Sequence, residues 1–106
     1  MSRGESDLVS FEEGETLAEG IRIISPIRMR ALLAAIRASQ GDVVAVDERE
    51  IVDGWNALAK LGLYVEHTSA VVWPALLQNL DRIREPVVII LTGSGLKSQI
   101  MSQDVV

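Results

Sequence analysis

The sequence predicts an α/β fold: a three-layer, mainly parallel four-stranded sheet with helices on its faces, in the order β-α-β-α-β-α-β. Three observations lead there. Val87 to Leu91 is an unbroken apolar run between Pro86 and the turn Thr92-Gly93-Ser94-Gly95, which is how a strand buried on both faces reads. Short apolar segments alternate with helically periodic stretches of roughly 12 to 15 residues, the pattern of parallel strands joined by right-handed crossovers. Helix start and stop signals fall at the junctions between them.

The first strand is expected within Thr16 to Ile24, where Ile21, Arg22 and Ile23 alternate. Ser25 and Pro26 then suit a helix start, one as cap and the other as first helical residue. Met29, Leu32, Leu33 and Ile36 share a face opposite Arg28, Arg30 and Arg37, and Gly41 ends the segment. Val43 to Val46 is the second strand. Asp47 and Glu50 form a capping signal for a helix from about Glu48 to Leu61. Its apolar stripe is Ile51, Trp55, Leu58 and Ala59, and Gly62 is a natural stop. Trp55, at helical spacing, reads as core rather than as a stacking platform.

Leu63 to Val65 is the third strand, and Thr68-Ser69 caps a last helix carrying Val72, Leu76, Leu80 and Ile83. Pro74 inside that helix would remove a hydrogen bond and clash with the preceding turn, so the helix either starts at Trp73 with Pro74 in its first turn, the preferred reading, or is kinked. Val87 to Leu91 is the fourth strand. The chain therefore divides into an acidic leader (1–13), one α/β domain (14–98) and a tail (99–106) that loses periodicity.

Composition narrows the function. The net charge is −5, with six acids against Arg3 in residues 1–20 and nine acids against nine basic residues in the remainder. A neutral body behind an acidic leader has no footprint for nucleic acid, which requires a basic stripe. No stretch approaches the roughly 20 apolar residues of a membrane helix, and no secretory signal opens the chain, so a cytoplasmic protein without a membrane partner is expected. With no cysteine and His67 as the only histidine, thiolate and multi-histidine metal sites are excluded.

The turn after the fourth strand is where an open α/β sheet would meet a small ligand. Gly93-Ser94-Gly95-Leu96-Lys97-Ser98 is not a phosphate loop, because Leu96 separates Gly95 from the Lys-Ser pair and Ile90 stands where the first glycine belongs. Gly-Ser-Gly also lacks the spacing of a nucleophile elbow. Glu66 ends the third strand at the same sheet edge as the turn; it reads either as a solvated acid or as a group facing that turn. His67 reads as a structural or surface residue rather than as a ligand.

Glu15-Thr16-Leu17-Ala18-Glu19-Gly20-Ile21, Pro26 with Arg28, Val44 to Ile51, Glu66-His67-Thr68-Ser69-Ala70 and Leu91-Thr92-Gly93-Ser94-Gly95-Leu96-Lys97 come in an order that resembles the C-terminal part of threonine synthase. That is a pyridoxal-phosphate enzyme of the tryptophan-synthase-β-like fold, acting on O-phosphohomoserine, and the resemblance spans about residues 14 to 98. It implies that Thr92, Gly93 and Ser94 with Glu66 are cofactor-binding. Thr92 matches the hydroxyl residue that lies against the pyridine nitrogen in the family, where a neutral hydroxyl leaves the ring nitrogen largely unprotonated.

The sequence also departs from the family. The lysine that carries the cofactor and the glycine-rich phosphate cup belong to the family's N-terminal half, and the only lysines here are Lys60 and Lys97. His67 stands where proline is usual, and Trp73-Pro74 replace small residues. The resemblance thus implies no catalytic residue in this chain and no catalysis by it alone, pyridoxal phosphate being bound only when an N-terminal half is supplied. The alternative is a free-standing, non-catalytic binding module derived from the same fold. In either case a homodimer or association with the missing half is expected, because half of a doubly covered sheet leaves apolar surface.

Overall fold

Asp47 and Glu50 start the helix around which the rest of the molecule packs. In the computed structural model, which describes residues 14–97, four helices follow one another: α1 (Met29–Ala38), α2 (Glu48–Lys60), α3 (His67–Ala70) and α4 (Val72–Gln78). Short 3-10 turns lie at Glu19–Ile21 and Gly95–Lys97.

Asp47 and Glu50 close a capping box at the start of α2, in which the Asp47 N–H donates to Glu50 Oε2 at 2.9 Å. At the other end, Gly62 adopts φ +85°, the Leu63 N–H reaches back to the Leu58 carbonyl at 2.9 Å, and the Gly62 N–H reaches that of Ala59 at 2.9 Å. This pair of bonds closes the last turn in the geometry that favours glycine. Between the caps, Ile51, Gly54, Trp55 and Leu58 are buried, a stripe at the spacing of one helical face. With Ala18, Val65 and Ala70, the three large members of this stripe form the core, and Val46, Val71, Trp73 and Leu91 pack against it. The Trp55 indole donates to the Val65 carbonyl at 2.6 Å, so the core residue also anchors the segment after α2.

Gly54 sits where α2 meets the junction of α3 and α4. A Cβ there would lie 2.8 Å from Pro74 Cδ and 3.1 Å from the Ala70 carbonyl oxygen. Pro74 is the third residue of α4, within the first turn, where its missing N–H costs no helical bond. That placement brings the rigid pyrrolidine ring against α2.

α1 packs more loosely. Of its apolar face only Leu33 is buried, while Leu32 is about half exposed. The helix begins later than Ser25 and Pro26 suggest: Arg28 is the N-cap, and the Pro26 carbonyl accepts the Met29 N–H in a preceding turn. Its C-terminus also differs, because Gln40, not Gly41, takes the left-handed conformation at φ +56°. The Gly41 N–H then bonds the Ile36 carbonyl at 2.8 Å. A non-glycine residue there is strained by about 1 kcal/mol, so Gln40→Gly is expected to raise unfolding stability by about that amount in urea titration; no gain would contradict the assignment.

The parallel four-stranded sheet is not formed among the described residues. Thr16–Ile24 folds into the first 3-10 turn and a following irregular segment in place of a strand, and residues 43–46 and 87–91 have no ladder partner. The one β-bridge among the described residues pairs Val65 with Ser94, and it is antiparallel. The reason is physical. A strand requires a neighbour to take its amides, and the Val87–Leu91 run finds none here. Its Val88 and Ile90 are 82% and 71% exposed, not buried on both faces. The expected leader (1–13), the tail (99–106) and Ser98 of the expected domain lie outside the described residues. Among the described residues, no helix is long and apolar enough to cross a membrane.

Candidate functional site

The short helix α3 gathers the segments that the sequence singles out. Glu66 is its N-cap residue, in extended conformation, and the Glu66 N–H donates to the Gly93 carbonyl at 3.1 Å. The Gly95 N–H donates to the Tyr64 carbonyl at 3.0 Å. Together with the Val65–Ser94 bridge, these bonds pin the glycine turn antiparallel to residues 64–66.

The two glycines are required by close approach. A Cβ on Gly93 would overlap the Glu66 carboxyl group, and one on Gly95 would come within 2.6 Å of the Tyr64 ring. Gly93 and Gly95 are buried, whereas Thr92 and Ser94 are exposed. The structure therefore brings Glu66 and the turn together, with Thr92 at the surface and not packed inside. The Ser94 hydroxyl is used locally, accepting the Leu96 N–H at 3.2 Å.

Ser69 is the residue that the sequence reading missed as part of this site. It is 2% exposed, and its Oγ accepts the Thr92 N–H at 2.7 Å and the Gly93 N–H at 3.4 Å. Its hydroxyl also lies 3.4 Å from Thr92 Oγ1. A serine oxygen has two acceptor positions and one proton. Either hydroxyl can be the donor in that contact, and Thr92 is exposed. The only sequence signal was a small hydroxyl three residues after Glu66, which reads equally well as a helix cap.

Ser69→Ala removes the shared acceptor and leaves two amides to find another. The expected loss is about 1–3 kcal/mol, with faster hydrogen exchange at the Thr92 and Gly93 amides measured by NMR. Unchanged protection at both would contradict the role given to Ser69.

The N-terminal segment closes the arrangement from the other side. The Gly20 N–H donates to Thr68 Oγ1 at 2.9 Å, and the Leu17 N–H donates to Glu48 Oε2 at 2.8 Å. Ala18 is fully buried in the core. His67 is also buried, which excludes the surface alternative. Its ring stacks on Trp55 at 5.1 Å between centroids, and its Nε2 has no hydrogen-bond partner among the described residues. Trp55 is accordingly core, as its spacing predicts. Among the described residues, no group of three metal-ligating side chains occurs.

The arrangement thus offers an exposed hydroxyl and a carboxylate beside a tightly packed glycine turn. The family model for pyridoxal-phosphate dependent enzymes matches residues 2–93. The chain belongs to this family. Its relatives are threonine synthases. That of Methanocaldococcus jannaschii is 38% identical over 96 residues, covering 86% of this chain and 24% of the relative. That of Synechocystis is 38% identical over 86 residues, covering 78% of this chain and 22% of the relative. That of Bacillus sp. strain ULM1 is 34% identical over 92 residues, covering 82% and 26%. The chain spans about a quarter of the length of the curated relatives it matches.

Family membership makes the fold class α/β and pyridoxal phosphate the family's cofactor. The exposed Thr92 hydroxyl could hydrogen-bond one end of that group, while the space over Gly93 is filled by the Glu66 carboxyl group. Of the described lysines, Lys60 stands in the last turn of α2 and Lys97 in the final 3-10 turn.

Proposed function

We propose that this chain forms the C-terminal part of a threonine synthase-like enzyme, supplying the turn that faces the cofactor ring, and that it is not catalytic by itself. One observation carries the reading: the Ser69 hydroxyl holds the Thr92 and Gly93 amides, with the Thr92 hydroxyl left exposed at the turn. Bound pyridoxal phosphate supplies an electron sink for β- and γ-replacement chemistry. The work of this chain is to orient and to tune. Thr92 donates a neutral hydrogen bond and carries no charge to draw a proton onto the ring nitrogen. Gly93 lets the turn lie against Glu66, whose carboxylate would then line the cofactor's edge. The Tyr64 and Glu66 backbone bonds fix the height of the turn, which limits the freedom of the hydroxyl.

In this reading the mainly parallel sheet belongs to the assembled enzyme. Residues 43–46 and 87–91, which make no backbone–backbone hydrogen bond among the described residues, become its strands when the remaining part supplies neighbours, and that part also contributes the cofactor-bearing lysine and the phosphate cup. The coverage of about a quarter of each relative supports a partial role.

The test is reconstitution. The full 106-residue chain is mixed with the unmatched N-terminal portion of the Methanocaldococcus jannaschii threonine synthase, pyridoxal phosphate and O-phosphohomoserine. Threonine is expected from the mixture and from neither part alone. Threonine from this chain alone, or none from a mixture that has formed a complex, would overturn the proposal.

A further inference from the structure

Between α2 and α4 lies a groove of about 480 Å³, a volume in the range of small-molecule sites. None of its lining residues belongs to the Glu66–Ser69–Thr92 cluster, so the function proposed above leaves it unexplained.

Its walls follow from the two helices. On α2, Glu50, Asp53 and Ala57 stand three and four positions apart and form one ridge. On α4, Trp73 and Leu77 are four positions apart and form the other. Gly54 and Pro74, both buried, make the floor. The bare backbone of Gly54 lets the ridges stand close, since a Cβ there would lie 3.2 Å from Trp73 Cβ. The Trp73 side chain therefore starts within one residue of Asp53. Trp73 and Pro74 are also the pair at which the sequence departs from the small residues of the family. The groove thus has a wall and a floor that the family pattern does not supply.

The charge along this groove is of one sign: Glu50 and Asp53 line it, and no lysine or arginine does. The two acids are engaged differently. Glu50 Oε2 accepts the Asp47 N–H at 2.9 Å and the Gln78 side-chain amide at 3.1 Å. Asp53 is exposed and has no hydrogen bond or ion pair among the described residues. A carboxylate beside an indole is complementary to a cation, because the negative ring face and the carboxylate attract the same group. Ala57 and Leu77 add apolar surface on which an alkyl stem can lie. An anion would be repelled by both acids, and a neutral ligand would leave Asp53 without a partner.

We infer that the α2–α4 groove binds a small organic cation, an ammonium group on a short alkyl stem, with Trp73 and Asp53 at its charged end and Leu77 along the stem. The inference does not rest on the threonine synthase-like reading.

The probe is n-butylammonium, titrated into the nitrogen-15-labelled full chain and followed by NMR. Saturable shifts are expected at the Trp73 indole N–H and at the Asp53, Ala57 and Leu77 amides, with a Kd of about 1 mM. n-Butanol, of similar shape without the charge, is expected to bind at least about tenfold more weakly. Asp53→Asn, an exposed and nearly isosteric change, is expected to weaken n-butylammonium about tenfold. Asp81→Asn, at an exposed acid outside the groove, is expected to leave binding unchanged. Trp73→Leu is expected to lose about tenfold, with Trp73→Phe between it and the native chain. Trp73 also packs partly against the core, so if Trp73→Leu unfolds by circular dichroism, Asp53→Asn decides.

A second arm titrates the peptide Gly-Gly-Lys-Gly-Gly. Tighter binding of the peptide assigns the cation to a lysine side chain of another protein, and tighter binding of n-butylammonium assigns it to a free amine; either supports the site. No saturable shift, equal binding of n-butanol, or full-strength binding by Asp53→Asn would each overturn the inference. So would equal losses with Asp53→Asn and Asp81→Asn, which would mark general attraction to a chain of net charge −5.

Discussion

Trp55→Ala is expected to cost about 3–5 kcal/mol of folding stability, much of what a domain of this size has to lose. The side chain is 5% exposed in the core, stacks with His67, and donates to the Val65 carbonyl at 2.6 Å. Truncation leaves a cavity and an unpaired buried acceptor together. The effect reaches the site, because Val65 is the residue bridged to Ser94, so the turn should loosen before the helices melt. Trp55→Phe separates the two contributions: it keeps most of the packing, loses the hydrogen bond, and is expected to cost about 1–3 kcal/mol. Urea unfolding followed by circular dichroism measures both. Equal losses for Phe and Ala would mean that the hydrogen bond dominates; a loss below about 1 kcal/mol for Ala would contradict the placement of Trp55 in the core.

Gly54→Leu is the second large change. Glycine in a helix interior costs about 1 kcal/mol relative to alanine, so intrinsic propensity alone predicts that replacing it helps. The close approach of Pro74 Cδ and the Ala70 carbonyl reverses that expectation for a large side chain, because neither a proline ring nor backbone can swing aside. Leucine must separate α2 from α3 and α4, and a loss of about 3 kcal/mol is expected. Gly54→Ala sets a propensity gain against a mild clash and is expected to fall within about 1 kcal/mol of the native chain. Leucine tolerated as well as alanine would show that the helices cross farther apart than described.

These two residues also show what the sequence could reveal. Most of the α2 helix was legible, since its capping box, the Ile51, Trp55 and Leu58 stripe and its terminal glycine are local signals; the helix ends at Lys60 rather than Leu61, and Gly54 is buried where Ala59 was expected to be. The family was legible too, from motifs that the fold then gathers around α3. The sheet was not. The Val87–Leu91 run says that its residues require burial but says nothing about which chain segment provides it, and pairing is decided by partners far away or outside the described residues. Ser69 escaped notice for the same reason. Its partners stand 23 and 24 positions further on, and no local pattern marks a hydroxyl that will accept two distant amides. Gln40 also departs from a local rule, taking a left-handed conformation beside Gly41, the residue expected to end the segment.

The claim on which the functional account turns is that the Thr92 hydroxyl meets a neutral ring nitrogen. The most direct measurement is the nitrogen-15 chemical shift of ring-labelled pyridoxal phosphate in the reconstituted complex. The account predicts a shift in the unprotonated pyridine range for the native chain, moving to the pyridinium range with Thr92→Asp, whose carboxylate would stabilise the added proton. The same shift for both chains would place Thr92 away from the ring and contradict the account.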